Sequence, residues 1–224
     1  MKSAVVLLSG GMDSSTLAYW LKATAKPEEL ICLSIFYGQR HKKELDFAKQ
    51  IADQLSARHS IVSIRGLEGL LVGSALTDPN VAVPYGHYAA ENMKITVVPN
   101  RNATMLAIAF AVAMANGASI VAMAAHAGDH TIYPDCRPEF LQQFQLMENL
   151  SNGGQFGDVE LATPFAHSTK ADIARYGDQL GVPWEYTWSC YEGGDVHCGQ
   201  CGTCVERKEA FKLAGVFDPT LYKA

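Results

Sequence analysis

The sequence predicts a three-layer α/β domain built on a doubly wound parallel sheet, followed by a small cysteine-rich C-terminal lobe. Three observations carry this. Short, branched, apolar runs alternate with helical patterns through the first half of the chain; the first run ends in a Gly-Gly turn that leads straight into a helix; and four of the six cysteines fall within the fifteen residues 190–204. At 224 residues and 48% hydrophobic content the chain is long enough for one well-buried core, or for a core domain with an appendage. The expected division is 1–185 for the α/β domain and 186–224 for the lobe.

The elements follow in order. Ser3 to Leu8, Leu30 to Tyr37 and Ile61 to Ile64 are strand candidates. Ser14 to Thr24 and Lys42 to Leu55 are helical between them, the second placing Leu45, Ala48, Ile51, Ala52 and Leu55 on one face. Strand and helix in alternation imply parallel strands joined by right-handed crossovers. The stretch from Gly66 to Asn100 breaks the pattern with Pro79, Pro84, Pro99 and several glycines, and is expected to be an irregular excursion over a ligand site, with one weak helix near Leu67 to Val72. Asn102 to Asn116 is an alanine-rich helix, Ser119 to Ala125 the next central strand, and Phe140 to Leu150 and Lys170 to Leu180 are further helices. The last is stopped by Gly181-Val182-Pro183.

The turn after the first strand, Ser9-Gly10-Gly11-Met12-Asp13-Ser14-Ser15, is the most informative segment. Paired glycines let backbone N–H groups approach an anion; the hydroxyls of Ser9, Ser14 and Ser15 add donors, and the following helix adds the positive end of its dipole. The turn has no lysine and a single glycine pair, so it fits neither G-x-x-x-x-G-K-[ST] nor G-x-G-x-x-G. A capped turn without a ligand is the plain alternative. No stretch approaches the length of a membrane span, and the N-terminus is not a signal peptide, so a cytoplasmic protein is expected. A net charge of −5 argues against sequence-independent nucleic-acid binding and for a small-molecule substrate.

Cys190-x7-Cys198-x2-Cys201-x2-Cys204, with glycines at 193, 194, 199 and 202, suits four thiolates at the corners of a tetrahedron, as a structural zinc prefers. A redox disulfide pair and an iron–sulfur cluster are the competing readings. His197 is a possible substitute ligand, and Cys32 a core residue.

Ser-Gly-Gly-x-Asp-Ser-Ser resembles the pyrophosphate loop of enzymes that split ATP to AMP and pyrophosphate to adenylate an oxygen of their substrate. Combined with the cysteine cluster, the chain resembles the 7-cyano-7-deazaguanine synthase family of the queuosine pathway. Phe36-Tyr37-Gly38-Gln39-Arg40-His41, Val98-Pro99-Asn100-Arg101-Asn102, Tyr133-Pro134-Asp135-Cys136-Arg137-Pro138-Glu139-Phe140, Thr163-Pro164 and Thr169-Lys170 are similar to that family's segments, in its order and over almost the whole chain.

The resemblance implies an adenine nucleotide α-hydrolase-like fold and an ATP-dependent conversion of 7-carboxy-7-deazaguanine with ammonia, through an adenylated carboxylate and an amide, to the nitrile. It implies ATP binding by Ser9, Gly10, Gly11, Asp13, Ser14 and Ser15, with Lys170 and Arg101 stabilising charge on the pyrophosphate. Asp13 holds Mg²⁺ or caps the helix. Substrate contacts fall to Gln39, Arg40, Asp129, Tyr133, Asp135 and Arg137, with Asp135 facing N–H donors and Arg137 the carboxylate; a turn capping the helix near Pro138 is the alternative for the last pair. Cys136 is expected to pack rather than react. A homodimer is implied too.

One stretch departs from the family pattern: Gly128-Asp129-His130-Thr131-Ile132 keeps the acid but lacks the glycine before Tyr133, and His126 and His130 add two imidazoles near the pocket. This leaves open a ligase that delivers the same adenylate to another amine, such as a protein amino group, as the resemblance implies for members in antiviral defence. A tRNA-modifying or sulfur-transferring enzyme and a non-enzymatic zinc module are further readings; the net charge disfavours the first, and the second leaves the phosphate turn unexplained.

Overall fold

The computed structural model describes residues 3–64, 66, 70–88 and 90–223. Five parallel strands, β1 (Ala4–Leu7), β2 (Leu30–Phe36), β3 (Arg58–Ser63), β4 (Ile120–Ala122) and β5 (Glu160–Ala162), form one sheet in the order β3-β2-β1-β4-β5. Every residue of β1 and β2 is buried, as a parallel sheet covered on both faces requires. Successive side chains point to opposite faces, so Val5 and Leu7 join a core with Leu106 and Phe110 of α4 (Arg101–Ala115) and with Leu141 and Phe144 of α5 (Pro138–Asn152). Ala4 and Val6 join the opposite core, with Leu17 and Leu21 of α1 (Met12–Thr24), Ile51 of α2 (Glu44–Gln54) and Ile173 of α6 (Lys170–Gln179). A short α3 (Ala90–Met93) precedes α4, and α7 (Gly202–Ala214) follows the cysteines. Among the described residues no helix is long and apolar enough to cross a membrane.

The doubly wound parallel sheet is the architecture the sequence predicts. Some elements differ. β3 begins three residues before the expected Ile61 because it is an edge strand with one wet side, so its N-terminal half, Arg58-His59-Ser60, carries no apolar signal. The expected strand at 119–125 is ordered only over Ile120–Ala122, and β5 was not expected, being three residues that open on an exposed glutamate. The helix expected from Leu67 to Val72 lies partly outside the described residues, and the described part, 70–72, is not helical.

The segment expected to form a C-terminal lobe contains α7, which composition did not announce. Its Ala210 and Phe211 pack with Met12, Ala174, Val182 and Trp184, joining the lobe to α1 and α6. Arg207 lies fully buried behind it, bonded to Asp218 (3.1 and 3.2 Å) and to the Thr187 hydroxyl (2.8 Å), which fastens the C-terminal tail. The excursion is tied down as well: Arg40 donates to the Val81 carbonyl (2.8 Å), and Gly86 N–H to the Gln200 carbonyl beside the cysteines (3.0 Å).

Gly10 has a structural reason beyond anion approach. Its φ is +83°, and a Cβ there would lie 2.3 Å from the Glu44 carbonyl and 2.6 Å from the Ala48 nitrogen, both backbone atoms of α2. Gly10→Ala is therefore expected to lose on the order of 2–4 kcal/mol of stability, read as a lower urea midpoint at unchanged slope.

Candidate active site

The strand order reverses between β1 and β4, and a cavity of about 230 Å³ opens there at the carboxyl ends of the strands. A side chamber of about 120 Å³ adjoins it, sharing Ser9, Asp13, His41, Glu44 and Lys170.

The phosphate turn is held by its own hydroxyls. Ser14 Oγ donates to the Gly11 carbonyl (3.2 Å) and accepts from Ser9 N–H (3.1 Å), and the Ser9 and Ser14 hydroxyls lie 3.0 Å apart. Ser9, Gly11, Asp13 and Ser14 line the cavity. Gly10 and Ser15 do not: Gly10 faces α2, and Ser15 is fully buried under the turn with its hydroxyl unpartnered. Gly11, not Asp13, occupies the N-cap of α1, which removes the helix-cap role for Asp13.

Asp13 instead meets Lys170. Thr169 caps α6 in a capping box with Asp172, so Lys170 leaves the first turn of that helix toward β1. Its ammonium lies 2.6 Å from Asp13 Oδ2 and 3.1 Å from Glu206 Oε2 of α7. Burial disfavours the charge on Lys170, but Asp13 and Glu206 outweigh it and hold the amine protonated well above the ordinary lysine range. Burial pushes the Glu206 carboxyl up, against the pull of Lys170. Asp13 Oδ1 is sealed from solvent and accepts no hydrogen bond, while Glu206 Oε2 has the Lys170 ammonium as its neighbour.

Deeper in, Tyr37, Tyr88, Tyr133 and Tyr191 surround Arg101, whose guanidinium lies 5.9 and 5.5 Å from the ring centres of Tyr37 and Tyr133. Burial pushes the Tyr37 phenol up to about 12 and those of Tyr88 and Tyr191 well above the usual range, so these are neutral hydroxyls at working pH. Among the described residues Arg101 has no carboxylate partner; its Nε donates to the Asn102 side chain (3.2 Å). Cys136 lines the same wall, and burial raises its thiol far above the ordinary range, in keeping with a packing role.

Not every expected contact faces this cavity. Asp129 and Tyr133 do. Asp135 is engaged with α4, accepting from Asn102 N–H (2.9 Å) and Asn102 Nδ2 (3.0 Å); it thus caps α4 rather than α5. Arg137 is exposed, with Nε on the His130 carbonyl (2.9 Å). Gln39 is buried and folds back on Tyr37 N–H and the Ile35 carbonyl, and Arg40 holds the excursion. His126 lines the cavity as the cap of the 3₁₀ turn Ala127–Thr131. Its Nδ1 accepts from Gly128 N–H (3.1 Å), and its Nε2 lies between Asp129 Oδ1 (3.5 Å) and the Lys170 ammonium (3.4 Å). A Cβ on Gly128 would lie 2.9 Å from the His126 ring, so the two residues form one packing unit. His130 does not line the cavity, and Ile132 is buried in the core.

The four sulfurs of Cys190, Cys198, Cys201 and Cys204 are buried and lie within 4.8 Å of one another, near the edge of about 3.8 Å that a tetrahedron with metal–sulfur bonds of about 2.3 Å requires. Backbone N–H groups of Cys198 and Cys201 point at Sγ atoms (3.3 and 3.2 Å), as thiolates favour. His197 is turned away from the sulfurs, with Nε2 accepting from Ser189 N–H (3.0 Å). Glu206, Tyr88, Tyr191 and Glu44 escaped sequence reasoning. Glu206 has no motif of its own, and its only signal is its place two residues after the last cysteine.

A model of the family described as queuosine biosynthesis protein QueC matches residues 3–215. The chain is 57% identical over 219 residues to a 7-cyano-7-deazaguanine synthase of Brucella ovis, covering 98% of this chain and 93% of that protein. It is 56% identical over 223 residues to that of Brucella anthropi, covering 100% and 94%. Among solved structures the NMN synthetase of Francisella tularensis superposes with a TM-score of 0.52 at 16% identity over 96% of this chain and 77% of that one, a likeness of fold.

The cap geometry yields a test. Asp135→Ala removes both acceptors from Asn102 and is expected to lower stability by about 1–3 kcal/mol in urea denaturation. A binding defect at full stability would instead turn Asp135 toward the ligand.

Proposed function

This chain belongs to the queuosine biosynthesis protein QueC family, and on that premise we propose that it is a 7-cyano-7-deazaguanine synthase, a carbon–nitrogen ligase that consumes ATP, 7-carboxy-7-deazaguanine and ammonia. The observation that carries this reading is Arg101, a cation among tyrosine rings that has no carboxylate partner among the described residues, in the same cavity as a phosphate turn. A planar, aromatic carboxylate answers both features: its ring lies among the tyrosines and its carboxylate meets the guanidinium. That role passes to Arg101 from the exposed Arg137.

The chemistry follows from charge. A carboxylate oxygen is a poor leaving group until the α-phosphate of ATP takes it up as an acyl-adenylate. As pyrophosphate departs, negative charge grows beside the turn, where the Gly11 N–H, the Ser9 and Ser14 hydroxyls, the α1 N-terminus and Lys170 gather. Asp13 Oδ1, a hard oxygen donor without a hydrogen bond, fits a magnesium ion; bound with ATP, the ion would supply neutralisation of phosphate charge. Ammonia then displaces AMP to give the amide, and a second activation of the amide oxygen removes it to leave the nitrile.

The four thiolates fit a structural zinc with no open position, so the metal's part is to fold the lobe that carries α7. Two experiments test these assignments. Purified protein should release AMP and pyrophosphate in step with 7-carboxy-7-deazaguanine, and Lys170→Met should lower kcat about 10²-fold or more; ADP as the sole nucleotide product would contradict the adenylation reading. Metal analysis should find about one zinc per chain, and Cys201→Ser should lose the metal and the solubility of the protein; a stable, metal-free, active variant would remove the structural role.

A further inference from the structure

The adenylation chemistry leaves one pair of cavity residues without a task. Glu44 and His41 line the side chamber next to the phosphate turn. Glu44 is the first residue of α2, where the helix dipole favours a negative charge. Its carboxylate accepts from Gln39 Nε2 (2.9 Å) and from His41 Nε2 (3.1 Å), and among the described residues no ion pair joins it to a lysine or arginine. Asp13 and Glu206 share Lys170; Glu44 has no such partner. A carboxylate without a lysine or arginine partner, in a cavity meant for ATP and an anionic substrate, repels both, so its position calls for a cationic visitor.

His41 sharpens the identity of that visitor. A carboxylate only accepts, so Nε2 carries a proton, and the tautomer with that single proton has a lone pair on Nδ1. The residue is 4% exposed, and Nδ1 has no hydrogen-bond partner. The Tyr191 ring lies 5.2 Å from the imidazole and adds an aromatic surface of the kind that favours small cations. Asp13 and Lys170 also line this chamber of about 120 Å³ but are paired with each other, so the Glu44 carboxylate, the unsatisfied nitrogen and the aromatic ring are what it offers a small cation rich in N–H donors.

We propose that Glu44 and His41 form the ammonium subsite of this enzyme. The proposal rests on ammonia being the amine of the reaction described above. Glu44 supplies the counter-charge that draws ammonium in. His41 Nδ1 accepts one N–H and takes its proton, the electron pair staying on nitrogen. That pair forms the C–N bond to the acyl-adenylate as the C–O bond to AMP breaks, its electrons leaving with the phosphate oxygen.

The test compares Glu44→Gln with wild type on ammonium and on hydroxylamine, a nucleophile that is largely uncharged at neutral pH. Glu44→Gln should raise KM for ammonium about tenfold or more while KM for ATP stays within about twofold, and hydroxylamine should serve both proteins nearly equally. Substrate-dependent exchange of labelled pyrophosphate into ATP, run without ammonium, reads the adenylation step alone. If wild type shows no exchange, the proposed function itself fails. If exchange is intact in both and the ammonium KM is unchanged, the subsite fails. Equal losses with ammonium and hydroxylamine would reduce Glu44 to a support for the turn and overturn the proposal. So would the loss, in Glu44→Gln, of a Mn²⁺ ion detected by paramagnetic resonance, which would assign the chamber to a divalent cation.

Discussion

The ammonium of Lys170, held between Asp13 and Glu206, is the contact on which the rest of the site depends. Each partner arrives from a different place in the chain: Asp13 from the first turn of α1, Lys170 from the first turn of α6, Glu206 from α7. Removing Lys170 would leave two buried carboxylates without their cation, a far larger penalty than either pair's own net worth. The three helices are consequently fixed relative to one another at the edge of the phosphate turn. The apolar contact among Met12, Ala174 and Phe211, one residue from each helix, lies behind the clamp and gives it a floor.

Glu206 also makes the cysteine cluster part of this arrangement. Helix α7 starts at Gly202, between the third and fourth cysteines, and reaches Glu206 within its first two turns. Trp188 approaches from the other side, its N–H on the Gly10 carbonyl (2.8 Å) and its indole N–H on the Cys190 carbonyl (2.8 Å). The phosphate turn and the thiols thus share one rigid wall. The excursion closes the far side, where Tyr88 brings its hydroxyl to 3.5 Å from that of Tyr133.

Features written in short stretches were legible in the sequence. The phosphate turn, the cysteine spacing, the Thr-Lys start of α6 and the alternation of strand and helix are local patterns, each set by backbone geometry within a few residues. What escaped was set by distant partners. Asp135 is read as a substrate contact from its family-like segment; its bond to Asn102, 33 residues away, has no local signal. Gly10 looked like an anion-binding glycine, yet the atoms that exclude a side chain there belong to α2. β5 and α7 were missed because the first is short and partly wet, and the second hides its apolar face among cysteines and charges.

The pairing of His126 with Gly128 bears on how such a site changes over generations. The imidazole occupies the space that a side chain at position 128 would need, and in return it caps the turn that presents Asp129. A side chain at 128 would press on the imidazole, so a substitution at either position changes what the other tolerates. The two positions are thus coupled in this site, and the presentation of Asp129 depends on both.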